Sequence, residues 1–373
     1  MDHADTDRER LARLRLIRSE NVGPVNFGRL LARFGSAVDA LDALPDIAAK
    51  AGRRKLRIAT DAEAQREWEA TEKFGARFLM LGDPLYPPLL AAAEGAPPVL
   101  AIQGDIKHLS SPALAIVGAR NASANGRALC RKIAGELGRA GLVIVSGLAR
   151  GIDAEAHEAS IETGTIAAIA GGIDVIYPPE NRKLHERMAV EGLIVAESPF
   201  GTQPRARHFP KRNRIISGLS QGVLVVEAAL RSGSLITARQ AGEQGRDVFA
   251  IPGSPLDPRA RGANRLIRDG ARLVESADDI LEELGPQDLF VLRAPTASPE
   301  PRAMPASEPL KPGDEDQARR AILESLSVEP TDADALIRAT GLPAPVFNTI
   351  MLELEIVGQV QRHAGNRYAL EKA

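Results

Sequence analysis

Leu142 to His157 reads LVIVSGLARGIDAEAH, and this stretch decides the fold. Leu142, Val143, Ile144 and Val145 form a short apolar run with β-branched members, the composition of a strand buried on both faces. Ser146-Gly147 breaks the run, and Gly151-Ile152-Asp153-Ala154-Glu155-Ala156 reads as the first turn of a helix. Between them sit glycines and Arg150, where a doubly wound sheet turns backbone N–H groups and a helix N-terminus toward a ligand. An anion is the natural guest of such a turn. A tight βα turn that binds nothing uses the same glycines, so both readings stand at this point.

Outward from this turn the chain repeats the pattern. Short apolar runs are expected as strands at 113–118, 142–146, 165–170, 193–197, 222–227, 247–251 and 272–275, with helical stretches between most of them. This alternation implies an α/β domain over 113–285, a Rossmann-like, mostly parallel, doubly wound sheet with helices on both faces. Residues 61–112 read as a bridging segment joining it: a charged helix with Trp68 as core, proline-rich turns, and a strand Val99–Ile102.

Residues 1–60 read as a small N-terminal helical domain, with stripes Leu11, Leu14, Ile17 and Leu30, Leu31, Phe34 joined by the turn Asn21-Val22-Gly23-Pro24. The run VGPVNFGRLLARFGS resembles helix–hairpin–helix modules that grip nucleic-acid backbones, which would make Arg29 and Arg33 available for phosphate. A small packing or interaction domain fits equally. Residues 286–313 hold Pro286, Pro295, Pro299, Pro301, Pro305, Pro309 and Pro312 with few large apolar residues, the composition of a flexible linker. Residues 314–373 fit a C-terminal winged-helix-like domain: helices at 315–326, 332–340 and 344–356, then a hairpin turning near Gly365-Asn366. Its third helix, APVFNTIMLELEIV, carries Glu353 and Glu355 but no Lys or Arg. Such a helix suits a phosphate-lined groove poorly, so a protein-contact or regulatory role is expected.

Composition narrows the function classes. The net charge of −2, with 26% charged residues, excludes a uniformly basic nucleic-acid coat and makes any basic site local. The single cysteine, Cys130, excludes an internal disulfide and a Cys-rich metal site; it shares a helical face with Leu129, Ile133 and Leu137, as core. The start, MDHADTDRER, lacks an apolar signal region, and no apolar run approaches a membrane span, so a cytoplasmic protein without a membrane partner is expected.

The strand-end loops converge on one edge of a parallel sheet and are read together. The first supplies Gly118 and Arg120, with Gly126 opening the next helix. The second supplies Ser146, Gly147, Ala149, Arg150 and Gly151, and the third leads through Tyr177-Pro178 to Asn181. After the fourth comes RARHFPKRNR, with Arg205, Arg207, Phe209, Lys211, Arg212, Asn213 and Arg214 and no acidic residue. The fifth leads past Glu227 to Ser232, Gly233 and Ser234; the sixth is followed by Asn264.

Familiar chemistries fail here. VGARNASANG has arginine where a second glycine would admit a pyrophosphate, no GxxxxGK[ST] occurs, and the six histidines show no metal-ligand spacing, so no cofactor or metal is expected. Ser146, His157 and Asp153 make a triad on paper, but Asp153 and His157 sit four apart on a helix, the spacing of an ordinary side-chain contact. Glycines for close approach, Ser and Asn donors and several arginines remain. That set suits several phosphates in a row, with Phe209 placed to stack on a base.

The motifs VGARNASANG, VSGLARGIDAEAH, GGIDVIYPPEN, AESPFG, HFPKRNRIISGLS, VVEA, SGSLITA, AIPG and GANRLIRDGA, in this order, resemble the DNA processing protein A family (DprA/Smf) of bacterial natural transformation. The resemblance implies a non-catalytic protein that binds single-stranded DNA cooperatively, loads the RecA recombinase onto it, and forms a homodimer through the central domain. It maps the family's positive pocket onto Arg120, the turn from Ser146 to Gly151, and Phe209 to Arg214, with donors from Ser232 to Ser234. The alternative is a nucleotide-handling enzyme of the phosphoribohydrolase-like Rossmann group. Those enzymes carry a PGGxGTxxE-type loop whose glutamate acts on the sugar; RSGSLITARQ stands in the comparable place and has no glutamate.

Overall fold

The structure, a computed structural model, describes residues 3–51, 56–285, 314–363 and 365–371. The described residues up to 65 and from 314 onward form one compact unit, and residues 66–285 a second. The Pro-rich stretch 286–313 lies outside the described residues. Among the described residues no single helix is long and apolar enough to cross a membrane.

The chain begins with helices α1 (His3–Arg18), α2 (Pro24–Phe34) and α3 (Ala37–Lys50). Asn21, at φ +58°, turns the chain between the first two, and Pro24 opens α2 where no N–H is needed. Helix α4 (Asp61–Lys73) leads into the second unit.

That unit is a nine-stranded sheet with helices on both faces. In chain order it runs β1 (Arg77–Met80), α5 (Pro88–Ala91), β2 (Val99–Gly104), β3 (Ala113–Val117), α6 (Ala124–Arg139), β4 (Val143–Ser146) and α7 (Ile152–Ser160). Next come β5 (Thr165–Ile169), α8 (Arg182–Glu191), β6 (Leu193–Ala196), α9 (His208–Gly218), β7 (Gly222–Val225) and α10 (Ser234–Glu243). It closes with β8 (Asp247–Ala250), α11 (Arg261–Arg268), β9 (Arg272–Leu273) and α12 (Ala277–Leu284). All seven expected strands are present. The bridging segment also adds β1 and β2 to the sheet, both antiparallel to their neighbours, so the sheet is wider than the alternating pattern indicates.

The strand order is β1-β2-β6-β5-β4-β3-β7-β8-β9. From β3 the chain winds outward through β4, β5 and β6, then crosses back to β7 on the other side of β3. The reversal opens a crevice at the carboxyl ends of β3, β4 and β7, where this architecture places its ligand. Strand residues alternate between two cores. Leu114, Ile116 and Ile144 pack on one face with Ile133 and Leu137 of α6, while Ala115, Val117 and Val145 pack on the other with Ile215 and Ile216 of α9. Cys130 is fully buried beside Ile133, and burial pushes its thiol far up.

The last segment comprises α13 (Asp314–Ser325), β10 (Thr331–Asp332), α14 (Ala333–Thr340), α15 (Ala344–Ile356), β11 (Val360–His363) and β12 (Arg367–Leu370). Three helices and a small antiparallel sheet of order β10-β12-β11 make the winged-helix arrangement. Its own core centres on Ile322, Leu336, Phe347 and Tyr368. Leu352 and Ile356 instead join the core of the N-terminal helices, beside Leu16, Phe27 and Leu30. The expected phosphate role of Arg29 and Arg33 needs correction: Arg29 Nη1 donates to Glu355 at 2.8 Å, and Arg33 donates to Glu353 at 3.3 Å. The partners lie more than 300 residues away, beyond the reach of local pattern reading.

Candidate nucleic-acid interface

A cleft of about 830 Å³ opens at the reversal point of the sheet. Its lining includes Gly118 and Arg120 after β3, Ala149 after β4, Phe209, Arg212 and Asn213 on α9, and Ser232, Gly233 and Ser234 before α10. The sequence-derived residues from four separate loops therefore meet in one place.

Arg212 is the fixed charge of the cleft. It is buried; its Nη1 donates to the Gly147 carbonyl at 2.5 Å and also to the Ala168 carbonyl, and its Nε donates to Asn213 Oδ1 at 3.3 Å. Burial pushes the guanidinium down to about 10, opposed by the charge of Asp153 and assisted by Arg120. Arg212 stays cationic at neutral pH. Asp153 is buried as well; burial raises its carboxyl, against the pull of Arg212 and the amides of Ala149 and Gly147.

Two cations approach the ring of Phe209. Arg120 Cζ stands 5.1 Å from its ring centroid and Arg212 Cζ 5.9 Å, while the Tyr177 ring lies 5.8 Å away and is 44% exposed. Arg120 is itself exposed, so charge and aromatic surface face solvent together. Behind them, Ser232 and Ser234 share a hydroxyl–hydroxyl bond of 2.6 Å, and Asn213 Nδ2 donates to the Gly233 carbonyl at 3.3 Å. These contacts hold the start of α10, where Leu235 N and Ile236 N donate to the Ser232 and Gly233 carbonyls at 3.2 and 3.1 Å, and the positive end of the helix dipole favours an anion.

Other expected residues support the cleft without lining it. Ser146 Oγ is buried and donates to the Ile116 carbonyl at 2.6 Å. Gly151 takes φ +77°, and a Cβ there would come within 2.6 Å of the Arg120 carbonyl oxygen, so only glycine lets α7 start against the β3 loop. Asn181 Nδ2 donates to the Leu148 and Ala149 carbonyls at 2.9 and 3.1 Å, pinning the turn after β4. Gly126 gives its amide to the cap hydroxyl of Ser123 at 2.9 Å. Asn264 closes the loop at Gly253 with bonds in both directions, at 3.1 and 2.8 Å. Gly147 lies against Arg212 rather than in the main cleft.

The cationic run divides. Arg205, Arg207 and Lys211 are exposed, but Arg214 reaches across to Glu197 and the Gly95 carbonyl. Arg150 stands exposed with Glu180 at 3.5 Å. The run lacks acids in sequence, but the sheet supplies one from another strand. Sequence reading missed Arg231, Arg259 and Asp153 as lining residues. Arg231 directly precedes the serines already singled out, which was a usable signal; Arg259 follows Asp257 and pairs with it at 2.8 Å.

The paper triad does not assemble. Ser146 is bound to Ile116, Asp153 accepts from Ala149 N at 3.4 Å, and His157 Nδ1 lies 2.7 Å from Thr165 Oγ1. Glu227 accepts from Ser123 N and Oγ at 2.9 and 2.6 Å, which makes it a cap for the α6 loop. Among the described residues no cluster of three or more His, Cys, Asp or Glu could hold a metal ion.

Comparison with known proteins gives the geometry a lineage. Three family models match in chain order: a DprA-like N-terminal HHH domain over 7–70, the DNA recombination-mediator protein A over 77–285, and a DprA winged helix domain over 299–366. Protein Smf of Synechocystis sp. is 40% identical over 326 residues, covering 80% of this chain and 81% of the relative. DNA processing protein DprA of Bacillus subtilis is 48% identical over 213 residues, 56% of this chain and 72% of the relative. The X-ray structure of DNA processing protein A from Streptococcus pneumoniae superposes with a TM-score of 0.61 at 38% identity, over 73% of this chain and 95% of that one. DNA processing protein A from Helicobacter pylori, whose structure was described for its single-stranded DNA binding mode, superposes at 0.52 with 30% identity, over 56% of this chain and 95% of that one. With its central segment alone matched over more than half of its length, this chain belongs to the DNA recombination-mediator protein A family.

Proposed function

We propose that the chain binds single-stranded DNA along the strand-end cleft and loads the RecA recombinase onto it, acting as a homodimer through its central unit and without catalysis. The observation that carries this reading is the approach of Arg120 and Arg212 to the Phe209 ring at a cleft of about 830 Å³. A cation on an aromatic face offers one nucleotide both a phosphate contact and a stacking platform. Arg212 Nη1 and Nε are engaged by the protein, which leaves Nη2 as the guanidinium group to donate to a phosphate. Arg231, Arg259 and the start of α10 extend the positive lining for the next phosphates. The Helicobacter pylori relative's single-strand binding supports the same ligand here. RecA loading, dimerisation and a cytoplasmic setting rest on family membership.

The hydrolase alternative needs a carboxylate free to act on a sugar. Glu227 is held by Ser123, and Asp153 is buried beside Arg212, which favours binding over hydrolysis. The test is anisotropy titration of a labelled oligo(dT) against matched duplex across a salt series. The reading expects tight, salt-sensitive preference for the single strand, and accelerated RecA assembly on strands coated with single-strand-binding protein. Equal affinity for duplex, or no effect on RecA assembly, would overturn the respective half.

A further inference from the structure

Among the described residues lining the cleft, Asp153 is the one carboxylate beside four arginines, Arg120, Arg212, Arg231 and Arg259. A fixed negative charge there repels each phosphate that the arginines attract, so by charge alone the cleft would bind a strand better without it. Asp153 and Arg212 are each 6% exposed, and two charges buried to that degree need partners.

The backbone between the two accounts for the placement. The Gly147 and Ala149 amides donate to the Asp153 carboxylate, Ala149 at 3.4 Å, while the Gly147 carbonyl accepts from Arg212 Nη1 at 2.5 Å. One glycine thus touches the anion with its N–H and the cation with its oxygen. Leu148, next in the turn, is fully buried at φ +54°, a left-handed conformation that a leucine keeps only when its surroundings fix it. Asp153 fixes it through the amides on either side, and Asn181 through the Leu148 and Ala149 carbonyls.

Arg212 also lacks a countercharge in direct contact. Its hydrogen bonds among the described residues go to neutral acceptors, the Gly147 and Ala168 carbonyls and Asn213 Oδ1. Burial disfavours its charge and Arg120 adds to that, while the negative charge of Asp153 opposes both. A buried cation that loses its countercharge is left uncompensated and is driven toward solvent.

We propose that Asp153 is the positioning residue of the cleft: it holds Arg212 in its socket, through the turn from Gly147 to Ala149 and as its countercharge, leaving Nη2 for a phosphate. The inference rests on the single-strand reading of the cleft, and the experiment separates the two.

Oligo(dT) affinity of the full chain is measured for Arg212→Gln, Asp153→Asn and the double variant. Arg212→Gln should weaken binding roughly ten- to a hundredfold, the value of a charge-assisted hydrogen bond; unaltered affinity in this variant would sink the cleft reading itself. Asp153→Asn removes a negative charge from an anion site, yet it should weaken binding by a similar factor. Tighter or unchanged binding, the result that charge alone demands, overturns the proposal. In the Arg212→Gln background Asp153→Asn should bring no further loss, because the residue it positions is gone. A further loss there would make Asp153 a support of the turn that acts without Arg212, and overturns the proposal as well. If Asp153→Asn alone folds poorly, urea melts of the other two variants read the same coupling. The double variant should be no less stable than Arg212→Gln, whose carboxylate is buried without its cation; lower stability overturns the proposal.

Discussion

The Gly147 backbone lies so close to Arg212 that a Cβ at position 147 would fall 2.6 Å from the guanidinium carbon. The carbonyl of the same glycine accepts a hydrogen bond from Arg212 Nη1. The turn after β4 thus shapes the socket that holds the buried cation of α9. Gly147→Ala is expected to push Arg212 out of its socket, costing about 1–3 kcal/mol of stability through overpacking. It should weaken oligo(dT) binding by more than a surface substitution does. Thermal unfolding and anisotropy on the same variant check both; wild-type affinity in a destabilised variant would remove Arg212 from the interface.

Charge and stacking can be separated at the cleft mouth. Arg120→Ala removes an exposed cation, so it should lower affinity and reduce the salt slope by about 0.7, one single-strand phosphate. Phe209→Ala removes only the ring that Arg120 and Arg212 approach. It should cost about 1–3 kcal/mol of binding, the usual value of one base stack, with the slope unchanged. If Phe209→Ala flattens the slope instead, the ring serves to position the arginines and touches no base.

The central sheet was legible because its strands are short apolar runs at regular intervals, and buried parallel strands require that composition. β1 was not legible. Arg77–Met80 is four residues long and gains its identity only by pairing antiparallel with β2. The cleft was legible where its residues cluster in sequence, as at Phe209–Asn213 and Ser232–Ser234, and hidden where one cation stands alone, as at Arg259. Ion pairs between distant segments were invisible. Arg214 looks unopposed until the sheet brings Glu197 to it, and Arg29 looks ready for phosphate until α15 delivers Glu355.

His157 gives a pH signature. It is fully buried, and burial pushes its imidazole down to about 3, with the charge of Arg212 acting in the same direction. Thr165 Oγ1 donates to the Ile144 carbonyl and therefore accepts from His157 Nδ1–H, leaving the buried Nε2 without a partner. Unfolded, the ring takes up a proton near pH 6.5; folded, it stays neutral until about pH 3. Its contribution is complete above pH 6.5 and is lost as pH falls toward 3, at up to about 1.4 kcal/mol per pH unit. His157→Asn keeps a donor for Thr165 but cannot titrate. Urea melts from pH 7 to 4 should show a shallower stability loss in the variant, by close to one proton; equal slopes would mean that His157 already titrates in the folded chain.

Ile356 tests whether the first and last segments fold as one body. It is fully buried, and it packs with Leu16, Phe27 and Leu30 of the N-terminal helices rather than with the winged-helix core. Ile356→Ala should cost about 2–5 kcal/mol by opening a cavity in that shared core. The chain's single tryptophan, Trp68, lies 5.0 Å from Phe78 in the other unit and so reports chiefly on that unit. Far-UV circular dichroism should therefore show an earlier transition in the variant while the tryptophan fluorescence transition stays in place. The N-terminal helices and the winged helix should melt together in that early step, because Leu352 and Ile356 tie them into one core. Two separate early transitions, or none, would show that the modules fold independently and that α15 contributes little to the stability of its partner helices.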